Sequence, residues 1–324
     1  MASIGLVLGA GGVVGAAYHV GALAAIADVT GWDARRADLI VGTSAGSGVA
    51  ATLRVGFSPA DQYARSQDEE MSEEGKRLGT LIPRERVRLP DAPGFDPLSF
   101  LRPSAPWLLA PAFLAPGPVR PGLLAGLLPR GRISTELLGE RIRALSSDRW
   151  PDRPTWICAT RLRDGKRVVF GRDAVDAPDL GTAVQASSAI PGYFEPVHIG
   201  DHDYIDGATF SPTNADLVAR LGYDLVIVVS PMSAVSAASG PSIGAAGRAF
   251  SSRVLSREVA QVREAGTPVL VVQPTVDDLR VMRGNPLDND LAPPVARQAR
   301  TSVARYLEDS AVADRVERLR ATTN

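Results

Sequence analysis

A five-residue turn, Gly42-Thr43-Ser44-Ala45-Gly46, stands directly between a branched-apolar run and a small-residue helix. Residues 38–42 (DLIVG) have the character of a short buried strand. The segment after the turn reads as a helix through about Arg54, with Gly56 as its stop. Few architectures accept a strand that turns so tightly into a helix. The pattern G-x-S-x-G sets a serine at the apex of such a turn, where only small neighbours fit. The helix N-terminus brings free N–H groups and a positive dipole to the same spot. Gly42 and Gly46 thus frame Ser44 as a candidate nucleophile.

The same alternation runs through the chain. Residues 3–9 read as a buried first strand, 9–15 (GAGGVVG) as a glycine-rich turn and 16–29 as an apolar helix. Ser58-Pro59 opens another helix, with serine at the N-cap and proline at N1. A helix from Ser134 to about Leu145 precedes a hairpin of 155–162 and 167–171, joined through Asp164-Gly165. Residues 180–190 form a helix stopped by Pro191, and 203–222 run strand, turn, helix. Two further buried strands, 224–230 and 268–274, are separated by a long helix, and a polar, arginine-rich helix from about 293 closes the sequence. Strands alternating with helices predict an α/β sheet covered on both faces. The 324 residues provide ample core, and no run of about 18 apolar residues predicts a membrane-spanning helix.

Residues 83–129 interrupt this order. They hold 11 of the 25 prolines and an apolar patch, PWLLAPAFLAP, at 106–116. Proline at that density breaks helix and strand alike. Two readings stand: an irregular insertion packed on the domain, or a lid or lipid-contacting rim.

The glycine-rich turn offers backbone N–H groups to an anion. A dinucleotide fingerprint would need glycine at 14, where the chain has Val14, and a P-loop would need a lysine that is absent here. A transient oxyanion fits the loop better than a phosphate.

Histidine supply limits the choice of base. The chain has three, His19, His198 and His202, and none follows 202, so the usual order of serine, acid, then histidine is not available. His19 lies on the apolar helix and reads as a packing residue; His198 and His202 flank a Gly-Asp turn and read as exposed hairpin residues. Asp206, with Gly207 and Ala208, follows a short strand at a position suited to aiming a carboxylate into a cleft. The single cysteine excludes an internal disulfide, and no residue cluster suits a metal. A net charge of −1 gives no long-range pull toward nucleic acid or anionic lipid. Of the 35 basic residues only Lys76 and Lys166 are lysine, which we read as a compositional bias spread over solvated faces. The N-terminus lacks a basic region before its apolar stretch, so a cytoplasmic location is expected.

Four blocks then fall in one order: LVLGAGGVVGAAYHVGAL, IVGTSAGSGVAA, QASSAIPGYFEPV and YIDGATFSPTNADL. Together they resemble the patatin-like phospholipase family, from about residue 5 to 217, with 60–150 unmatched. The resemblance implies one three-layer α/β domain over 1–324 with a mostly parallel sheet, a lid-like insertion at about 60–133 and a Ser–Asp dyad in place of a triad. It puts the nucleophile on Ser44, the proton acceptor on Asp206, and the oxyanion hole on the backbone of Gly11, Gly12 and Val13. It implies hydrolysis of fatty acyl esters without a cofactor or metal, an acyl-lipid substrate and transient contact with a membrane surface. Acyl transfer on the same dyad and a non-catalytic lipid-binding module are the alternatives. The family's loop usually reads Gly-Gly-Gly-x-Arg/Lys-Gly; here Ala10 replaces the leading glycine and Val14 the cation. Without that cation a substrate phosphate has less to bind at the loop, so an acyl ester is the firmer expectation than a phospholipid.

Overall fold

A computed structural model describes residues 2–82, 104–105, 128–146, 149–173, 177–235 and 243–322. The apolar patch at 106–116 and most of the proline-rich segment lie outside the described residues.

The elements run β1 (Ile4–Leu8), α1 (Gly12–Thr30), β2 (Leu39–Thr43), α2 (Ala45–Arg54), α3 (Pro59–Ser66), α4 (Glu73–Thr80), α5 (Glu136–Ser146), β3 (Thr155–Arg161) and β4 (Arg167–Phe170). They continue with α6 (Leu180–Ser187), β5 (Val197–Ile199), β6 (His202–Asp206), β7 (Leu225–Val229), α7 (Ile243–Glu264), β8 (Val269–Val272), α8 (Val276–Val281), α9 (Ala292–Leu307) and α10 (Ala313–Arg320). Among the described residues the strands form one eight-stranded sheet in the order β5-β6-β3-β2-β1-β7-β8, with β4 also paired to β3. The central pairs β3–β2, β2–β1, β1–β7 and β7–β8 are parallel, whereas β4, β5 and β6 pair antiparallel.

Strand alternation sorts the core into two layers. Leu6, Leu8, Ile40 and Ile227 join α1, α2 and α9 in the larger cluster. Val7, Val41, Val226 and Val228 point the other way, onto Leu255, Val259 and Val262 of α7. Every residue of β1, β2 and β7 is buried, as expected of parallel strands covered on both faces. This is the three-layer α/β arrangement expected from the alternation.

Several local expectations hold and others need correction. Ser58 caps α3, accepting the Asp61 N–H at 3.0 Å, with Pro59 opening the helix. The glycine turn is shorter than 9–15, because α1 begins at Gly12. The start of the expected insertion is helical: α3 and α4 occupy 59–80, each capped by a serine, Ser58 and Ser72. The helix expected late in 203–222 is only two 3₁₀ turns, Gly207–Thr209 and Ala215–Val218. The final helix is two helices broken at Ser310–Val312, and α9 is polar on one side only: Val295, Ala296, Ala299 and Val303 are buried. By length and composition α1 suffices to cross a membrane, contrary to the expectation of no such helix. Instead most of it is buried, with Gly21 so close to α9 that a Cβ there would meet the Ala296 carbonyl oxygen. Arg54 is no solvated arginine. It donates to the carbonyls of Arg35, Ala37 and Pro154 and ties the end of α2 to the strand starts.

Candidate active site

β2 delivers Thr43 beside Cys158 of β3, and β6 delivers Asp206 beside Ala159, the next residue of β3. At both positions β4 occupies the opposite edge of β3. β2 and β6 therefore share one edge and run toward each other, because one is parallel and the other antiparallel to β3. Their C-terminal ends meet, and the residues that leave them are Ser44 and Asp206.

The approach is close. A Cβ at Gly207 would sit 2.2 Å from the Cys158 carbonyl oxygen, and one at Gly46 would sit 2.0 Å from that of Leu8. No other residue fits at either place. Ser44 holds φ 52°, ψ −118°, a left-handed conformation that costs a non-glycine residue about 1–3 kcal/mol. Tertiary bonds hold it there. Its N–H donates to Ser187 Oγ at 2.9 Å, and the Ser187 hydroxyl donates to the Cys158 carbonyl at 2.7 Å. The Ser44 carbonyl accepts from the Ser47 hydroxyl and N–H at 2.6 and 2.9 Å.

Ser44 and Asp206 are both buried, and the Ser44 hydroxyl lies close enough to the Asp206 carboxyl to favour its ionised form. Asp206 Oδ1 also accepts the Ala208 N–H at 2.8 Å. Burial pushes the Asp206 carboxyl up to about 6, against the opposing pull of the Ser44 hydroxyl and the Ala208 N–H. The serine–carboxylate pair named from the sequence is thus brought together, although its residues stand 162 positions apart.

The glycine loop borders the same space. The Ala10 N–H donates to the Pro212 carbonyl, Val14 N–H to the Pro286 carbonyl, and Gly15 N–H to the Gly11 carbonyl. The N–H groups of Gly11, Gly12 and Val13 make no such bond among the described residues. Gly12 and Val13 line a cleft of about 460 Å³ together with Ser44 and Ala45. Its other walls are mostly apolar, including Leu138, Ile142, Leu145 and Phe194, and Arg141 is its one charged residue among those described. Two larger hollows, of about 610 and 600 Å³, lie on the α7 side of the sheet and do not touch Ser44.

None of the three histidines bonds to Ser44 among the described residues. His19 is fully buried with Nε2 against the Gly9 carbonyl at 2.7 Å, and burial lowers it to about 4. Its N–H supports the glycine loop from behind. His198 is exposed and pairs with Asp203 at 2.9 Å in the β5–β6 hairpin, while His202 is half-buried in the same hairpin. Cys158 is buried and pushed up to about 12, so its thiol stays protonated. No cluster of three metal-ligating side chains forms among the described residues.

Sequence reasoning missed Ser187, Asn214 and Glu258. Ser187 sits in the Gln185–Pro191 block but carries no local sign of its bond to Ser44. Asn214 donates to Thr43 Oγ1 at 3.0 Å across 171 positions. Such contacts have no signature within a window of sequence.

A model of the family described as patatin-like phospholipase matches residues 6–219, and the chain belongs to that family. Two solved structures are similar over 95% of this chain. The type III effector protein ExoU is 17% identical with a TM-score of 0.40, and VipD from Legionella pneumophila is 13% identical with a TM-score of 0.41. The chain spans 53% and 66% of their respective lengths. No curated protein matches the sequence.

Proposed function

We propose that this protein hydrolyses fatty acyl esters through Ser44 and Asp206. The observation that carries the reading is the meeting of these two buried side chains where β2 and β6 end, with Ser44 in the wall of an apolar cleft. Family membership implies a lipid acyl substrate in the same sense.

Asp206 takes the Ser44 hydroxyl proton as Oγ attacks the acyl carbon. The carbonyl oxygen gains the negative charge and is stabilised by the N–H groups of Gly11, Gly12 and Val13. The protonated Asp206 returns the proton to the departing alkoxide, leaving Ser44 acylated. A water then gives its proton to Asp206 and its oxygen to the acyl carbon. Ser44 leaves with the proton, and the fatty acid is released. A carboxyl raised to about 6 suits both halves, since it is ionised at neutral pH yet basic enough to accept a proton.

The test is covalent labelling with a fluorophosphonate, followed by hydrolysis of p-nitrophenyl esters, lysophospholipids, phospholipids and triacylglycerols. Labelling of the wild type that disappears in Ser44→Ala, together with fatty acid release, is the expected result. Labelling that survives Ser44→Ala removes the assignment. Product analysis with added alcohols separates hydrolysis from acyl transfer.

A further inference from the structure

The segment 211–215 follows the base strand and touches the other two parts of the site. Its Pro212 carbonyl accepts the Ala10 N–H at 2.8 Å, which fixes the glycine loop. Its Asn214 Nδ2 donates to Thr43 Oγ1 at 3.0 Å, which fixes the residue before Ser44. The segment has little regular structure, and Asn214 itself holds a left-handed φ of 55°.

What holds it is a buried carboxylate from the other side of the sheet. Glu258, within α7, is 7% exposed. Its Oε1 accepts the Ser211 hydroxyl at 2.5 Å, and its Oε2 accepts the Thr213 hydroxyl at 2.5 Å and the Ala215 N–H at 2.8 Å. Ser211 Oγ already accepts the N–H groups of Thr213 and Asn214 at 3.3 and 3.0 Å. Its single proton is therefore directed at Glu258, and both carboxylate oxygens act as acceptors. On its other side the segment is gripped by Arg167 of β4, which bonds Asn214 Oδ1 at 3.1 Å and Asp216 at 2.6 and 2.8 Å. Burial pushes the Glu258 carboxyl above its ordinary range, and the bonds from Ser211, Thr213 and Ala215 oppose that by favouring the ionised form.

We propose that Glu258 is a positioning residue for the acyl hydrolase site: it clamps 211–215 so that Pro212 holds the glycine loop and Asn214 holds the serine elbow in register. The inference rests on the dyad reading above. Glu258 touches no substrate and acts only through this segment. A glutamine at 258 cannot replace it, because its amide NH2 would face either Ser211 Oγ, which already accepts two N–H groups, or the Ala215 N–H, itself a donor.

The experiment uses the full chain and a p-nitrophenyl ester. Glu258→Gln is expected to lower kcat tenfold or more with KM within about twofold, and to slow fluorophosphonate labelling of Ser44 in parallel. Thr43→Val removes the Asn214 bond without touching the clamp and is expected to lower kcat in the same way. The double variant is expected to lose little more than the worse single one, since both act on one connection. Val303→Ala, a core change in α9, serves as a control chosen for an equal loss of Tm and is expected to keep kcat. Glu258→Gln with unchanged kcat, a double variant whose losses multiply, or an equal kcat loss in Val303→Ala would each overturn the proposal. If Glu258→Gln does not fold, Thr43→Val alone decides, and unchanged kcat in that variant overturns it. A wild type that neither labels nor hydrolyses any ester sinks the dyad reading and this inference with it. A labelled, active wild type with an unaffected Glu258→Gln sinks only the clamp.

Discussion

Ser44 and Asp206 stand at the ends of two strands of opposite direction that meet along one edge of β3, which brings the serine hydroxyl up to the carboxyl. A carboxylate so buried is held at the expense of its own hydration. Its folded value of about 6 lies above the usual 3.8, so the native state binds a proton more tightly than the unfolded chain. Stability from this group is therefore greatest at low pH and is lost as pH rises from about 4 through 6, by roughly 3 kcal/mol in all. Asp206→Asn removes that cost. It is expected to abolish turnover by 10²-fold or more, as loss of a general base does, while raising Tm at pH 7. Thermal melts at pH 7 and pH 4 check this: the gain is present at the first and absent at the second. A lower Tm at pH 7 would count against it.

In the proposed mechanism the same group sets the acid limb of activity. The attack needs ionised Asp206, so kcat/KM is expected to rise about tenfold per pH unit below about pH 6 and to level above it. A pH–rate profile on a neutral ester gives this directly. An inflection near 6 in wild type that persists in His19→Gln identifies the carboxylate as the titrating group.

His19 makes a prediction of opposite sign. It is neutral in the fold at about 4 but titrates near 6.5 when unfolded. The unfolded chain binds more protons between those values, so stability is lost as pH falls from 6.5 toward 4. Gln at 19 keeps an amide N–H for the Gly9 carbonyl and does not titrate. The drop in Tm between pH 7 and pH 4.5 is expected to be smaller in His19→Gln than in wild type. Equal drops would refute the assignment of a buried neutral imidazole.

These residues differ in how far sequence reveals them. Ser44 is legible because its elbow is local: strand, small residues and helix lie within fifteen positions, and the steric demand writes itself as Gly42 and Gly46. Asp206 is legible only in part. The strand before it is short and its pairing to β3 is a long-range fact, so it is the shortage of histidines, together with the family resemblance, that singles it out. The helices missed or misplaced fail for physical reasons. The segment after Asp206 is apolar enough for a helix, yet Glu258 and Arg167 draw its polar groups into tertiary bonds and leave only 3₁₀ turns. The arginine-rich sequence of α9 reads as polar, while its buried face packs on α1.

Gly12 tests the proposed oxyanion loop. It holds φ 64°, and a Cβ there would lie 2.7 Å from the Pro286 carbonyl oxygen. Both the backbone conformation and the space exclude a side chain, so Gly12→Ala must move the loop that carries the N–H donors. A displaced donor is expected to lower kcat about 10²–10³-fold with little change in KM. The fluorophosphonate reaction, which passes through the same charge development, should slow with it. Normal kcat in a folded Gly12→Ala protein would place the oxyanion elsewhere.

The cleft itself predicts chain-length selectivity. Leu138 and Ile142 of α5, with Phe194, line about 460 Å³ of largely apolar space that also reaches Ser44. Each methylene buried there contributes about 0.8 kcal/mol, or nearly fourfold in kcat/KM, until the space is filled. Over a series of p-nitrophenyl esters kcat/KM is therefore expected to climb with acyl length and then flatten. Leu138→Trp fills part of the cleft without touching Ser44 or Asp206. It should leave the acetyl ester unaffected and move the plateau to shorter chains. A uniform loss across the series would mean that the substitution disturbs the dyad, and an unchanged plateau would mean that the acyl chain lies outside this cleft.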